Sequence, residues 1–367
     1  MQPPLAGHAD AQFEPVRTTF HQLFTTGAES GAGLAVSYQG RLVVDLCGGW
    51  RDPDRNLAWG PDTLVNTFSV SKPFAAMCVM LLVDRGQVRL SDRVASHWPE
   101  FSGDEVEVWH VLSHTAGLPV FPVPRSAEAL GDWQLLVSDL AAASPHWSPG
   151  SVAAEHALTY GHLIGEIVRR VTGRSLGRFF ADEIAGPWRL DLAFGLSAED
   201  QARCADLGYG RPDWPAVTMG EPSSLRAQAL GNPSGCLDLP VLNSPLWRAA
   251  EVPAVNLHAT ATSIARAYAG LLAGGILDGV RLFPEATVAD MVRAHYQGPD
   301  LLLGRTVQWT LGMQIEDDGS WGMGGIGGSV GYADPDRGYS FGYVTRHLAD
   351  FERVDALVEA LHRCLER

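Results

Sequence analysis

Apolar residues along the 367-residue chain follow several different rhythms. Over residues 33–46, β-formers run on either side of Gln39-Gly40, the pattern of a hairpin. Over residues 69–83 the apolar run is almost unbroken and ends at Asp84-Arg85-Gly86, which predicts a helix buried on all sides. Between residues 90 and 240 the period is mostly helical with proline-rich connections, and helices are predicted over 106–113, 133–143, 159–171 and 176–184. Residues 208–253 are rich in Pro, Gly and Ser and read as a long surface excursion of the kind that borders a binding site.

A helical rhythm returns over 261–273. Strands are then predicted at 308–314, 331–333 and 339–345, and an amphipathic helix closes the chain over 350–365. The order strand, helical middle, strand predicts an α+β fold in which both chain ends meet in one antiparallel sheet. The predicted division is a sheet domain from residues 1–88 and 256–367 and a helical domain with long loops from 89–255. No internal repeat or low-complexity tract interrupts this plan.

Composition narrows the function classes. A chain that is 46% hydrophobic and 19% charged is globular. With 42 acidic against 27 basic residues its formal charge is −15, which repels phosphate backbones and anionic lipid, so a small-molecule substrate is expected and nucleic acid or a membrane is not. Met1-Gln2-Pro3-Pro4 carries no basic region followed by an apolar run, and no apolar stretch approaches the length of a membrane span; a cytoplasmic location is expected. Cys47, Cys78, Cys204, Cys236 and Cys364 are odd in number and scattered, which predicts reduced thiols and neither a disulfide framework nor a zinc site. No cofactor is implied, and the oligomeric state is left open.

The basic residues carry the sharpest signal. Twenty-six are arginine and one is lysine, Lys72. A chain that uses arginine for every other cation points to a need at position 72 that guanidinium cannot meet, namely an amine able to lose its proton when desolvated. Lys72 closes the run Ser69-Val70-Ser71-Lys72 at the start of the predicted buried helix, where residues three apart share a face and the amine lies over the hydroxyl. With 23 serines in the chain, a serine falls three places before the sole lysine by chance about 6% of the time. Pro73 suits a first helical turn, and the helix N-terminus favours negative charge developing near Ser69.

Three other motifs are weaker. Gly322-Met323-Gly324-Gly325-Ile326-Gly327 satisfies the dinucleotide glycine pattern, but strand and turn follow it where a helix is required. Gly327-Gly328-Ser329-Val330-Gly331 satisfies the nucleophile-elbow pattern, with too little chain left for its acid and histidine. These glycines are better read as letting a strand edge approach a ligand or another backbone. Glu155, His156, His162 and Glu166 crowd one segment, yet their spacing does not place both imidazoles on one helical face, so no metal is expected.

Taken in order, the motifs resemble the serine β-lactamase-related esterases and transacylases, close to class C β-lactamases and the penicillin-binding-protein-like esterases. The resemblance rests on Gly48-Gly49, on Trp59-Gly60-Pro61-Asp62-Thr63 leading to Phe68-Ser69-Val70-Ser71-Lys72, and on Val111-Leu112-Ser113-His114-Thr115-Ala116-Gly117-Leu118-Pro119. It continues through Trp147-Ser148-Pro149-Gly150, Gly165-Glu166-Ile167-Val168 and Val171-Thr172-Gly173. It implies a class C β-lactamase-like fold, an antiparallel sheet flanked by helices with an inserted helical lobe and the site between them. In that family a serine attacks a carbonyl, a lysine and a tyrosine relay its proton, and a strand motif headed by lysine or histidine lines the cleft. The serine N–H and a strand N–H form the oxyanion hole.

Ser69 and Lys72 match that pattern directly, and two motifs depart from it. Counting from Pro149-Gly150 puts Glu155 where the family carries its tyrosine, and Met323-Gly324-Gly325 stands where the strand motif carries its cation. A carboxylate beside Lys72 is expected to form an ion pair, raise the lysine pKa and take over the role of base. Loss of the strand cation removes the anchor for a substrate carboxylate, so penicillins and D-Ala-D-Ala peptides are not expected substrates. The candidate site is therefore Ser69, Lys72 and Glu155 as catalytic groups, the N–H groups of Ser69 and Ile326 as oxyanion hole, and Met323, Gly324, Gly325, Tyr160 and His258 as substrate contacts. The expected activity is that of a serine esterase or acyltransferase acting on a small ester, thioester or amide through an acyl-Ser69 intermediate. The alternatives are a recruited biosynthetic enzyme using Glu155 and Lys72 as acid and base without an acyl-enzyme, and a catalytically silent ligand-binding homologue.

Overall fold

The computed structural model describes residues 3–366. Its frame is a nine-stranded antiparallel sheet built from both ends of the chain. In chain order its strands are β1 (Leu5–Ala9), β2 (Gly31–Tyr38), β3 (Arg41–Gly49), β4 (Tyr296–Asp300), β5 (Arg305–Trp309), β6 (Gln314–Ile315), β7 (Trp321–Gly324), β8 (Val330–Asp334) and β9 (Tyr339–Thr345). The spatial order is β1-β3-β2-β9-β8-β7-β6-β5-β4. The seam between the two chain ends is the β2–β9 pair, in register from Tyr38 opposite Tyr339 to Ala32 opposite Thr345. The β2–β3 hairpin turns at Gln39-Gly40, as the pattern predicts.

Every residue of β9 and all but the last of β2 is buried, because helices cover both faces at the seam. On one face lie α1 (Glu14–Thr25) and the last helix, which apply Val16, Phe20 and Leu23, and Val354, Leu357 and Leu361, to the sheet at helical spacing. The opposite face carries the helix Ala261–Leu272, whose backbone comes so near that a Cβ on Gly342 would lie 2.4 Å from the Ala261 carbonyl. Beyond that helix the main core gathers around α2 (Ser71–Asp84), where residues 74–82 are all buried. Helix α3 (Thr159–Thr172) packs beside it, buried from Thr159 to Val168.

Three local expectations are corrected. The predicted strand over 308–314 is two strands, because the chain turns at 310–313 with Gly312 at φ +100°. The excursion over 208–253 is punctuated by short helices at Trp214–Met219, Leu225–Leu230, Leu239–Leu242 and Pro245–Ala249, mostly opened by serine or proline caps. The helix predicted over 176–184 is α-helical only for Leu176–Phe180 and widens into a π turn. Among the described residues no helix is long and apolar enough to cross a membrane.

Candidate active site

The nucleophile is held by a short bolt of hydrogen bonds. Strand Val65–Asn66 pairs with His258–Ala259, and the Thr67 amide and hydroxyl both donate to the Leu257 carbonyl, at 3.0 and 2.9 Å. Phe68 then adopts φ +51°, a left-handed conformation that costs a residue with a bulky side chain about 1–2 kcal/mol and is held here by burial of its ring. This reversal throws Ser69 into a 3-10 turn at the mouth of α2. The Ser71 hydroxyl closes the bolt by donating to the Phe68 carbonyl and accepting from Leu257 N–H.

Lys72, the second residue of α2, has no exposed surface. Its Nζ lies 2.8 Å from Ser69 Oγ and 2.9 Å from Glu155 Oε1, with the carbonyls of Ala157 and Ala254 at 3.2 and 3.4 Å. Every one of these neighbours is an acceptor, an environment made for an ammonium donor. Ser69 Oγ in turn donates to Glu155 Oε1 at 3.4 Å, so hydroxyl, amine and carboxylate form a closed triangle. One expectation changes sign: burial pulls the Lys72 pKa below the ordinary lysine range, and the Glu155 carboxylate opposes that shift without reversing it.

The glycine-rich run after β7 brings a second backbone to the nucleophile. A Cβ on Gly325 would sit 2.2 Å from the Thr67 carbonyl, so only glycine permits this approach. The turn closes on itself through Gly325 N–H to Ser329 O at 2.8 Å and Gly328 N–H to Gly325 O at 3.0 Å. Among the described residues, neither the Ser69 N–H nor the Ile326 N–H finds a protein acceptor. Ser69 and Ile326 line the same cavity, and unused backbone amides are the kind of donor that can stabilise an oxyanion.

These groups open onto a cavity of about 700 Å³. Ser69, Glu155, Met323, Gly324 and Ile326 line it, with Leu230, Val255, Leu302, Leu303 and Trp309 as apolar walls and Arg226 and Arg305 among its charged side chains. Met323 packs against Trp309, Val307 and Ala153, so the wall that the resemblance would furnish with a cation is apolar. Gly325 lies beneath the wall, against Thr67, and does not line the cavity.

Tyr160 and His258, expected as substrate contacts, are buried away from the cavity lining. Tyr160 is a fully buried residue of α3 whose hydroxyl donates to the Leu112 carbonyl at 3.3 Å, and burial pushes its pKa well up. His258 belongs to the strand that braces the nucleophile turn; its Nδ1 donates to Asn256 O at 2.9 Å, and burial pushes its pKa down to about 3. Elsewhere in the histidine–carboxylate segment, Glu166 accepts from Arg169, Arg170 and the Trp133 indole, and His162 stacks on Trp133 at 4.7 Å.

The sequence carried no signal for Asp300. This buried carboxylate accepts from the amides of Leu302 and Leu303 and from the Trp309 indole, each at 2.9 Å, and so shapes two walls of the cavity. Burial, aided by the neighbouring Glu155, raises its pKa.

Comparison with known proteins places the chain in a family and matches its fold. The family model described as Beta-lactamase matches residues 16–363. A Mycobacterium tuberculosis protein named esterase/beta-lactamase LipL is 31% identical over 359 residues, covering 93% of this chain and 83% of that protein. The crystal structure of a family VIII carboxylesterase superposes with a TM-score of 0.90 at 33% identity, covering 98% of this chain and 100% of that one. A penicillin-binding protein homologue from Caulobacter crescentus gives a TM-score of 0.87 at 36% identity, with the same coverage.

Proposed function

The chain belongs to the Beta-lactamase family, and from that premise we propose that it is a serine hydrolase or acyltransferase working through an acyl-Ser69 intermediate, with Glu155 as its base. The observation that carries this reading is the Ser69 hydroxyl set between the Lys72 amine and the Glu155 carboxylate on the wall of the cavity. As Oγ attacks an ester carbonyl, the Oγ–C bond forms, the O–H bond breaks and the proton passes to Glu155 Oε1. The Lys72 ammonium, 2.8 Å from Oγ, stabilises the charge on the attacking oxygen. The carbonyl π pair moves to its oxygen, where the Ser69 and Ile326 N–H groups receive it. Collapse of this intermediate breaks the bond to the leaving oxygen, which takes the proton from Glu155. Water or an alcohol then attacks the acyl-enzyme, gives its proton to Glu155, and Ser69 Oγ recovers a proton as it departs.

The walls support a substrate class. Apolar side chains dominate near Ser69, and Met323 offers no partner to a carboxylate at the position of the strand motif. Small neutral esters and thioesters fit better than penicillins. Cys47, Cys78, Cys204 and Cys236, buried and outside any disulfide, support a reducing, cytoplasmic setting.

The test is intact-protein mass spectrometry after exposure to a fluorophosphonate and, separately, to a p-nitrophenyl ester. A mass increase of one phosphonyl or acyl group is expected for wild type and none for Ser69→Ala. An unmodified wild-type protein would refute the acyl-enzyme.

A further inference from the structure

We propose that His114 is the positioning residue that sets Glu155 against the Ser69 hydroxyl. The proposal rests on the reading of Glu155 as base. His114 follows the short helix Val108–Leu112 and adopts φ +62°, which turns its carbonyl and its ring toward the same stretch of chain. The carbonyl accepts the Ala154 N–H at 3.1 Å, and ring Nδ1 accepts the His156 N–H at 3.0 Å. One residue therefore grips the backbone on both sides of Glu155.

The chemistry of the grip is determined. A peptide N–H only donates, so Nδ1 presents its lone pair and the neutral ring carries its proton on Nε2. That Nε2 finds no partner in its buried surroundings, where the rings of Trp309 and Tyr160 lie 4.4 and 4.6 Å away. Burial holds the imidazole neutral, which preserves the acceptor. A left-handed backbone and an unpaired buried donor are both costs to the fold, so a histidine kept merely for stability would be a poor choice. What it supplies is an acceptor at one point in space. His156 completes the loop through its own ring, with Nδ1 donating to Ala154 O at 2.8 Å and Nε2 accepting Leu118 N–H at 3.1 Å.

Two amide substitutions separate positioning from packing. The side-chain oxygen of asparagine falls near the place of Nδ1, and asparagine tolerates a left-handed backbone; glutamine carries its oxygen one bond further out. In steady-state hydrolysis of a p-nitrophenyl ester, His114→Gln is expected to lower kcat about 10- to 100-fold while KM stays within about twofold. His114→Asn is expected to keep kcat within about threefold, and Glu155→Gln with His114→Gln to be no slower than Glu155→Gln alone. Equal losses in the two His114 variants, no loss in His114→Gln, or additive losses in the double variant would overturn the proposal. A crystal structure of His114→Gln reads the clamp without reference to rate: Glu155 displaced from Lys72 supports it, and Glu155 unmoved overturns it. A Glu155→Gln enzyme with wild-type kcat would overturn the base reading alone, leaving that structure to decide the clamp.

Discussion

Among the described residues, two ion pairs have both side chains no more than 10% exposed, and they are finished in opposite ways. Behind the sheet, Glu29 accepts from Ser30 N–H, Gly31 N–H, the Tyr343 and Thr345 hydroxyls and Arg353. Arg353 spends its remaining Nη2 on the carbonyls of Gly327 and Asp350. None of these residues lines the cavity at Ser69, and no strong acceptor position is left on Glu29 for a reacting atom. At the other site, Lys72 and Glu155 enclose a serine hydroxyl, and Glu155 lines the cavity wall. A pair whose carboxylate is saturated serves the fold, while a pair whose carboxylate lines a cavity beside a serine hydroxyl keeps capacity for chemistry.

The largest expected contrast is in rate. Glu155→Gln should lower kcat for ester hydrolysis by about 10²- to 10⁴-fold, because the proposed mechanism then loses its base for both acylation and deacylation. Its melting temperature should change little, since burial already disposes Lys72 to give up its charge when the carboxylate is gone. A variant that loses stability but not rate would place this pair with the structural one.

Arg353→Met should show the reverse. Stranding the buried Glu29 is expected to cost about 3–5 kcal/mol of stability in urea unfolding, with kcat of the folded fraction within a few-fold of wild type. A large loss of kcat without unfolding would mean that the Arg353 contact to Gly327 O reaches the Ile326 amide and that the two pairs are not separate.

The smallest effect sharpens the contrast through pH. Burial holds His156 and His258 at about 3 and His162 at about 4, against about 6.5 when unfolded. Folded values below unfolded ones mean that the unfolded chain binds more protons between about pH 3 and 6.5. This stability is fully present above pH 6.5 and is lost as pH falls, by up to about 1.4 kcal/mol per pH unit for each histidine. Calorimetry is expected to show the melting temperature dropping by roughly 5–10 °C between pH 7 and pH 5. A flat profile would mean that these rings are already solvated or protonated in the native state.

Legibility in the sequence followed the range of the interactions. Ser69 and Lys72 are three residues apart on one helix start, and Glu155 was found by counting from Pro149-Gly150, so these three were readable. Tyr160 lies away from the cavity lining because its hydroxyl is bound to Leu112, 48 residues away, which periodicity does not reveal. His258 does so for a like reason: its strand exists only through pairing with residues near 65 and 192. The pairing of Glu29 with Arg353 spans 324 positions and leaves no trace in spacing or composition. His114 lay inside a recognisable run, yet its grip on the chain around Glu155 depends on a backbone reversal that residue identity does not announce. The strand predicted through 308–314 breaks at Gly312, whose φ of +100° is foreign to a strand.

The solitary, fully buried Lys72 has a spectroscopic consequence. Growth on lysine carrying ¹³C at the ε position would place a single labelled side chain in a 39.5 kDa protein, on the carbon bonded to the nitrogen that lies 2.8 Å from Ser69 Oγ. Its one cross-peak needs no assignment, follows the protonation of the amine directly, and shifts when an acyl group arrives on Ser69.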